Sequence, residues 1–97
     1  MTLSRKIKVA NPLGLHARPA SIFVKIANKF ESDINVTKEG QTVNGKSIMG
    51  LLMLAAEQGS EIELTATGRD AETALKELEQ FLTQGTEPER PERPSGI

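Results

Sequence analysis

The spacing of apolar residues changes along this chain, and that change limits the elements it can form. Residues 5–9 and 61–67 alternate polar and apolar side chains, which predicts strands buried on one face. Between and after these segments, apolar residues recur at helical spacing. With 97 residues, the chain is long enough for one domain around a single modest core.

Three segments predict helices. The first, residues 17–29, has a narrow polar stripe on an otherwise apolar surface, which favours burial within the domain over contact with a partner. A second helix is predicted over residues 47–58, with Ser47 as its N-cap and Gly59 as its stop. The third follows Asp70, a good N-cap, and runs to Gly85.

A hairpin is predicted between the first two helices. Residues 33–37 alternate, Glu39-Gly40 forms a plausible two-residue turn, and residues 41–44 return as a second strand. The resulting order, β-α-β-β-α-β-α, predicts an α+β fold of two layers, an antiparallel or mixed sheet with helices on one face. The pattern does not fix the order of the strands.

The last residues differ in composition from the rest. Residues 86–97 contain Glu-Arg-Pro twice and almost no apolar side chains, so they cannot bury enough surface to order themselves. We therefore expect an ordered domain over residues 1–84 and a flexible tail over residues 85–97.

Composition excludes several functions. The chain has no Cys and one His, which rules out disulfides and thiolate metal sites, and we expect neither a metal nor a cofactor. A net charge of −1 and the absence of Trp and Tyr argue against nucleic-acid binding. No apolar run is long enough for a signal peptide or a membrane span, so a soluble cytoplasmic protein is expected.

The chemically informative stretch is residues 14–20, which read Gly-Leu-His-Ala-Arg-Pro-Ala. Pro19 is tolerated only in the first turn of a helix, so His16 is predicted at or next to the N-cap. Unpaired N–H groups and the helix dipole there favour an anion and a neutral imidazole, whose lone pair can attack phosphorus. Arg18 offers a planar fork of donors for phosphate oxygens.

The heptapeptide resembles the active-site signature of the HPr family, the histidine phosphocarriers of the bacterial phosphoenolpyruvate-dependent phosphotransferase system. A second segment, residues 46–50, reads Lys-Ser-Ile-Met-Gly and is similar to the family's regulatory-serine region. The likeness extends to about Gln84. It implies an open-faced β-sandwich, in which a four-stranded antiparallel sheet carries three helices on one face.

The resemblance also implies a function, that of a carrier and not of an enzyme in the strict sense. His16 would receive phosphate on Nδ1 from phosphorylated enzyme I and pass it to IIA-type acceptor proteins. Arg18 would stabilise the phosphate, and Ala17 would contribute its backbone N–H at the helix start. Nothing in the sequence requires more than a monomer.

Ser47 has two expected roles that are compatible. As an N-cap it contributes on the order of 1 kcal/mol. By resemblance, an HPr serine kinase/phosphorylase would modify it, weakening exchange with enzyme I and creating a surface for a transcriptional regulator. The resemblance further implies a partner-binding surface, whose residues here are Ser21, Val24, Lys25, Met49 and Leu52.

Two alternatives remain open at this point. The chain could be a regulatory relative in a nitrogen or carbon signalling branch that acts mainly by binding, although the presence of His16 favours transfer. Residues 40–47 also satisfy G-x-x-x-x-G-K-[ST], the phosphate loop of nucleotide hydrolases. Against that second alternative stand the predicted hairpin and a chain too short for the parallel sheet of such enzymes.

Overall fold

A computed structural model describes residues 1–10 and 17–84 of the chain. Seven elements occur in the predicted order. Their bounds are β1 Thr2–Lys8, α1 Ala17–Ala27, β2 Asp33–Lys38, β3 Gln41–Asn44, α2 Ile48–Leu54, β4 Glu61–Thr67 and α3 Ala71–Gln84. No helix among the described residues is long and apolar enough to cross a bilayer.

The four strands form one antiparallel sheet in the order β1-β4-β2-β3. The last strand in sequence is therefore central, with β1 on one side and β2 on the other. Its side chains alternate as predicted, since Ile62, Leu64 and Ala66 are buried and the residues between them are not. The fold is the α+β sandwich with three helices on one face that the sequence predicts.

The core lies between the helices and the inner face of the sheet. Each helix contributes apolar side chains to it, including Phe23 from α1, Leu51 from α2 and Leu78 from α3. The burial expected for α1 is confirmed, because most of its apolar residues belong to this core. The outer face of the sheet is polar, and neighbouring hydroxyls pair across strands, as in the 3.0 Å contact between the Oγ1 atoms of Thr2 and Thr67.

The hairpin between β2 and β3 has the predicted two-residue turn. Glu39 and Gly40 both have positive φ, 50° and 83°, which suits the right-handed twist of the flanking strands. Gln41–Asn44 then pairs with β2 in antiparallel register. These residues form a regular strand and not a loop around a phosphate, so the nucleotide-hydrolase alternative is wrong.

Both shorter helices end earlier than predicted. α1 stops at Ala27, where the N–H groups of Lys29 and Phe30 turn back to carbonyls three residues earlier. α2 stops at Leu54, and Ala55 adopts a left-handed conformation. The residues that follow bind another segment instead of continuing the helix. The Gly59 N–H donates to the Val9 carbonyl at 2.7 Å, and the Val9 N–H donates to the Ser60 carbonyl at 2.8 Å.

Asp70 precedes α3 as predicted, but its carboxylate binds a different segment. It accepts hydrogen bonds from the backbone N–H groups of Glu31 and Ser32, both at 3.0 Å, and from the Ser32 hydroxyl. These donors, the Ser32 hydroxyl foremost and the Glu31 amide next, lower the pKa of Asp70. The carboxylate thus fixes the chain between α1 and β2, where Ser32 is buried.

We expect Asp70→Asn to lower the free energy of unfolding at neutral pH. The further loss of this free energy in acid should be smaller in the variant. A lowered folded pKa stabilises the protein above the unfolded value, near 3.8, and this contribution is lost as the pH falls through the folded pKa. Urea unfolding across the acid range measures the effect. Asp33→Asn, which removes an exposed carboxylate from β2, is the control, and an identical pH slope in both variants would contradict the assignment.

Candidate functional site

The first turn of α1 begins at Ala17, directly after His16 in sequence. Ala17 and Arg18 are exposed, whereas Pro19 is buried in the first turn, where its missing N–H costs no helical hydrogen bond. This turn carries no acidic side chain, so nothing in it offsets the partial positive charge of the helix start. It is suited to an anion. His16 itself lies outside the described residues.

The polar stripe of α1 is at the surface. Arg18, Ser21 and Lys25 are all exposed. Val24, which the resemblance assigned to the partner surface, is only 9% exposed and belongs to the core. Only a small part of its side chain is accessible to a partner, because the residue packs into the protein interior.

Lys29, two residues after the end of α1, is paired with α3. Its Nζ forms an ion pair of 2.8 Å with Oε1 of Glu77 on α3 and lies 5.8 Å from the centre of the Phe30 ring. The Lys29 side chain therefore links the segment after α1 to α3.

Ser47 occupies a tightly held turn between β3 and α2. Its Oγ accepts a hydrogen bond of 3.0 Å from the Gly50 N–H, which confirms it as the N-cap of α2. The Asn44 side chain accepts from the Lys46 N–H at 2.8 Å, and the Asn44 carbonyl accepts from the Ser47 N–H at 3.1 Å. Ser47 is half-buried, and the hydrogen bond gives its hydroxyl a defined direction.

Two further contacts fix this turn against the body of the protein. Lys46 Nζ donates to the Phe30 carbonyl at 2.8 Å, which ties the turn to the segment after α1. A Cβ on Gly45 would lie 2.6 Å from the Ile34 side chain, so only glycine fits there without a shift. Sequence reasoning missed the Lys46 contact, since a lysine does not reveal its partner before the fold is known.

Four large apolar side chains of α2 are at the surface. Met49 and Met53 are each 68% exposed, Ile48 is 40% exposed and Leu52 is 37% exposed. We call these four residues the α2 patch. Leu51 and Leu54 point inward and are buried, so α2 is apolar on both sides. Exposed apolar patches of this kind mark interaction surfaces.

The α2 patch lies on a helix that packs against α1. The predicted partner residues Ser21, Lys25, Met49 and Leu52 are thus exposed on two neighbouring helices. Ile48 and Met53 were missing from the predicted set. The signal was present in the sequence, since a helix this short has more apolar residues than one face can bury.

The chain that leads toward His16 is anchored at Ala10. The Ala10 N–H donates to the Leu82 carbonyl near the end of α3 at 2.9 Å, and its carbonyl accepts from the Gln58 side chain at 3.3 Å. Ala10, the last described residue before His16, is therefore fixed by α3 and by the segment before β4. No pattern in the sequence pointed to Gln58 or Leu82.

Comparison with known proteins identifies a family. Residues 3–84 match the family described as "PTS HPr component phosphorylation site". The chain is 46% identical over 80 residues to phosphocarrier protein HPr of Neisseria meningitidis serogroup A, covering 82% of this chain and 90% of that protein. It is 44% identical over 82 residues to HPr-like protein Crh of Bacillus subtilis, covering 84% and 96%.

The fold agrees with this assignment. The crystal structure of HPr from Bacillus anthracis superposes with a TM-score of 0.82 at 46% identity, covering 84% of this chain and 96% of that one. The sequence match and the structural match each cover most of the chain. The chain therefore belongs to the HPr family of the phosphotransferase system, in which HPr itself is a phosphocarrier protein and not a catalytic enzyme.

Proposed function

We propose that this protein accepts a phosphoryl group from phosphorylated enzyme I on His16 and donates it to IIA-type proteins. The observation that carries the proposal is the start of α1 at Ala17, next to His16, with Arg18 exposed in a first turn that has no acidic side chain. The match over residues 3–84 to a family described by its phosphorylation site supports it.

The chemistry needs an uncharged imidazole. Its Nδ1 lone pair forms the new bond to phosphorus while the N–P bond of the donor phosphohistidine breaks, and the donor ring leaves with its lone pair restored. The start of an α-helix favours this step twice, because it disfavours an imidazolium and stabilises the phosphoryl oxygens that follow. Ala17 supplies a backbone N–H, and the Arg18 guanidinium supplies a charged fork.

Docking occurs through the neighbouring surfaces of α1 and α2. Ser21 and Lys25 provide a polar and positively charged part, and the α2 patch provides an apolar part. Methionine adapts its shape to different surfaces, which suits a carrier that must bind a donor and several acceptors in turn. Val24 contributes only its exposed edge.

Ser47 is a regulatory site in this proposal, modified by an HPr serine kinase/phosphorylase. Ser47 is half-buried and directly precedes Ile48 and Met49 of the α2 patch, so a phosphate there places nearly two negative charges next to that patch. The added charge opposes binding of an apolar partner surface and offers a feature that a transcriptional regulator could recognise.

A regulatory HPr-like protein is the second candidate. The 44% identity to Crh of Bacillus subtilis favours it. A regulatory protein of this kind acts mainly by binding partner proteins. Measuring phosphoryl transfer through His16 therefore distinguishes the two candidate functions. We favour transfer because His16 lies directly before α1 in this chain.

Three further features belong to the proposal. The chain is a cytoplasmic protein with its domain over residues 1–84, and the tail predicted over residues 85–97 lies outside the described residues. It acts as a monomer. One solved structure of Crh from Bacillus subtilis is described as an intertwined dimer with a swapped domain, so sedimentation at assay concentration is the relevant measurement.

We expect His16→Ala to abolish acid-labile labelling by enzyme I and radiolabelled phosphoenolpyruvate. His16 is the chain's only histidine, so no other imidazole can take its place. Circular dichroism and the urea midpoint should match those of the unaltered protein. Undiminished labelling would show that the acceptor is another residue.

We expect Arg18→Ala to lower kcat for transfer from enzyme I by about a hundredfold, as when one charge-stabilising donor is removed from a reacting centre. Arg18→Lys keeps the charge without the planar fork, so its kcat should lie between those of the unaltered protein and of Arg18→Ala. Lys25→Ala, on the same exposed stripe, is the control and should raise KM with kcat nearly unchanged. Equal effects of the two alanine variants on kcat would contradict the role of Arg18.

We expect Ser47→Asp to slow phosphorylation of His16 by enzyme I, because it adds negative charge beside the α2 patch while keeping an N-cap oxygen. Ser47→Ala should cost about 1 kcal/mol of stability without slowing transfer. Gln41→Asp, exposed on β3, controls for net charge. If Gln41→Asp slows the reaction equally, the effect does not depend on position 47.

A further inference from the structure

The side chains that hydrogen peroxide can oxidise readily are few in this protein. The chain has no Cys, Trp or Tyr, and it has three methionines. Methionine thioethers are converted to sulfoxides by peroxide, and exposure controls the rate. Oxidative modification of this chain is therefore concentrated on its methionines.

Two of the three methionines lie together on α2. Met49 and Met53 are each 68% exposed, and their spacing of four residues places them on one face of the helix. Met1 is also exposed but lies elsewhere, where its carbonyl accepts a hydrogen bond from Gly68 after β4. The thioethers of Met49 and Met53 make up the most exposed part of the α2 patch.

We propose that Met49 and Met53 form a modification site for peroxide-class oxidants, and that sulfoxide formation there weakens docking of partner proteins. This deepens the proposed function, since it rests on the α2 patch being a docking surface. The sulfoxide is polar, so it must lose water to enter an apolar interface that the thioether enters freely.

The chemical step is a two-electron oxidation. A sulfur lone pair attacks one peroxide oxygen, the S–O bond forms as the O–O bond breaks, and the departing hydroxide takes up the remaining proton as water. Sulfur is oxidised and peroxide is reduced. Methionine sulfoxide reductases reverse the change with electrons from thiols, one enzyme for each sulfoxide epimer.

The position of these residues separates docking from folding. The inward side of α2 is formed by Leu51 and Leu54, which are buried, and the two methionine side chains remain largely in solvent. Oxygen added to Met49 or Met53 therefore does not enter the core. We expect the urea midpoint to be unchanged after oxidation, while the surface of α2 becomes polar.

The test is oxidation of the full chain by hydrogen peroxide, followed by removal of the oxidant. Peptide mass mapping should show one added oxygen, about 16 Da, on each of Met49 and Met53. Transfer from enzyme I should then show at least a tenfold higher KM with kcat little changed. Treatment with both sulfoxide reductases should restore the original KM.

Matched variants decide the assignment. The double variant Met49→Leu, Met53→Leu keeps apolar side chains, and its KM should be the same before and after peroxide treatment. Met1→Leu should show the same rise in KM on oxidation as the unaltered protein. An unchanged KM in the oxidised unaltered protein, or an equal rise in the double leucine variant, would overturn the proposal.

Failure of the proposed function would be recognised separately. If the unoxidised protein accepts no phosphate, transfer itself is disproved, but two measurements still test the modification site. These are the peptide map and retention on a hydrophobic-interaction column, which should fall on oxidation of the unaltered protein and stay constant for the double leucine variant. If the retention of the unaltered protein stays constant on oxidation, the claim that oxidation makes the α2 patch polar is wrong.

Discussion

The central position of β4 is the constraint on which the rest of the structure depends. β4 pairs along its whole length with β1 and over residues 63–67 with β2, so the last strand in sequence holds the two earlier ones in one sheet. Its inward residues, Ile62, Leu64 and Ala66, are fully buried beneath the helices. With the strands in this order, the connections carry α1 and α2 to one face of the sheet, where the two helices pack against each other. The proximity of α1 to the α2 patch is a consequence of that arrangement.

The periodic segments of the chain could be predicted because their signal is local. Glu61–Thr67 and the turn at Glu39-Gly40 occur as predicted, since alternation and turn residues depend on near neighbours alone. The end of α2 could not be predicted, because it depends on the backbone hydrogen bonds that Gly59 and Ser60 form with the distant Val9. The same holds for Asp70, whose carboxylate binds the segment after α1 instead of its own helix. Such contacts join residues far apart in sequence and exist only once the fold has formed.

The candidate site was predictable to a similar extent. The position of Pro19 sets the start of α1, and the N-cap role of Ser47 follows from its place before an apolar segment. Exposure was harder to predict, since Val24 and Met53 are both apolar residues on helices and only packing shows that one is buried and the other is not. Helical spacing alone does not distinguish a core residue from a docking residue on a helix that is apolar all round.

The anchoring of Ala10 has a consequence for how variants of this protein behave. Ala10 is held by the Leu82 carbonyl of α3 and by the Gln58 side chain, and the segment bearing His16 starts from that fixed point. If the last turn of α3 loosens, Ala10 loses one of its two hydrogen-bond partners, and the point from which the His16 segment starts is held less firmly. On the proposed function, transfer in such a variant would slow although the changed residue has no chemical role, and the melting temperature would not show the cause. Genetic screens for carrier activity should consequently recover substitutions at the end of α3 alongside those near the histidine.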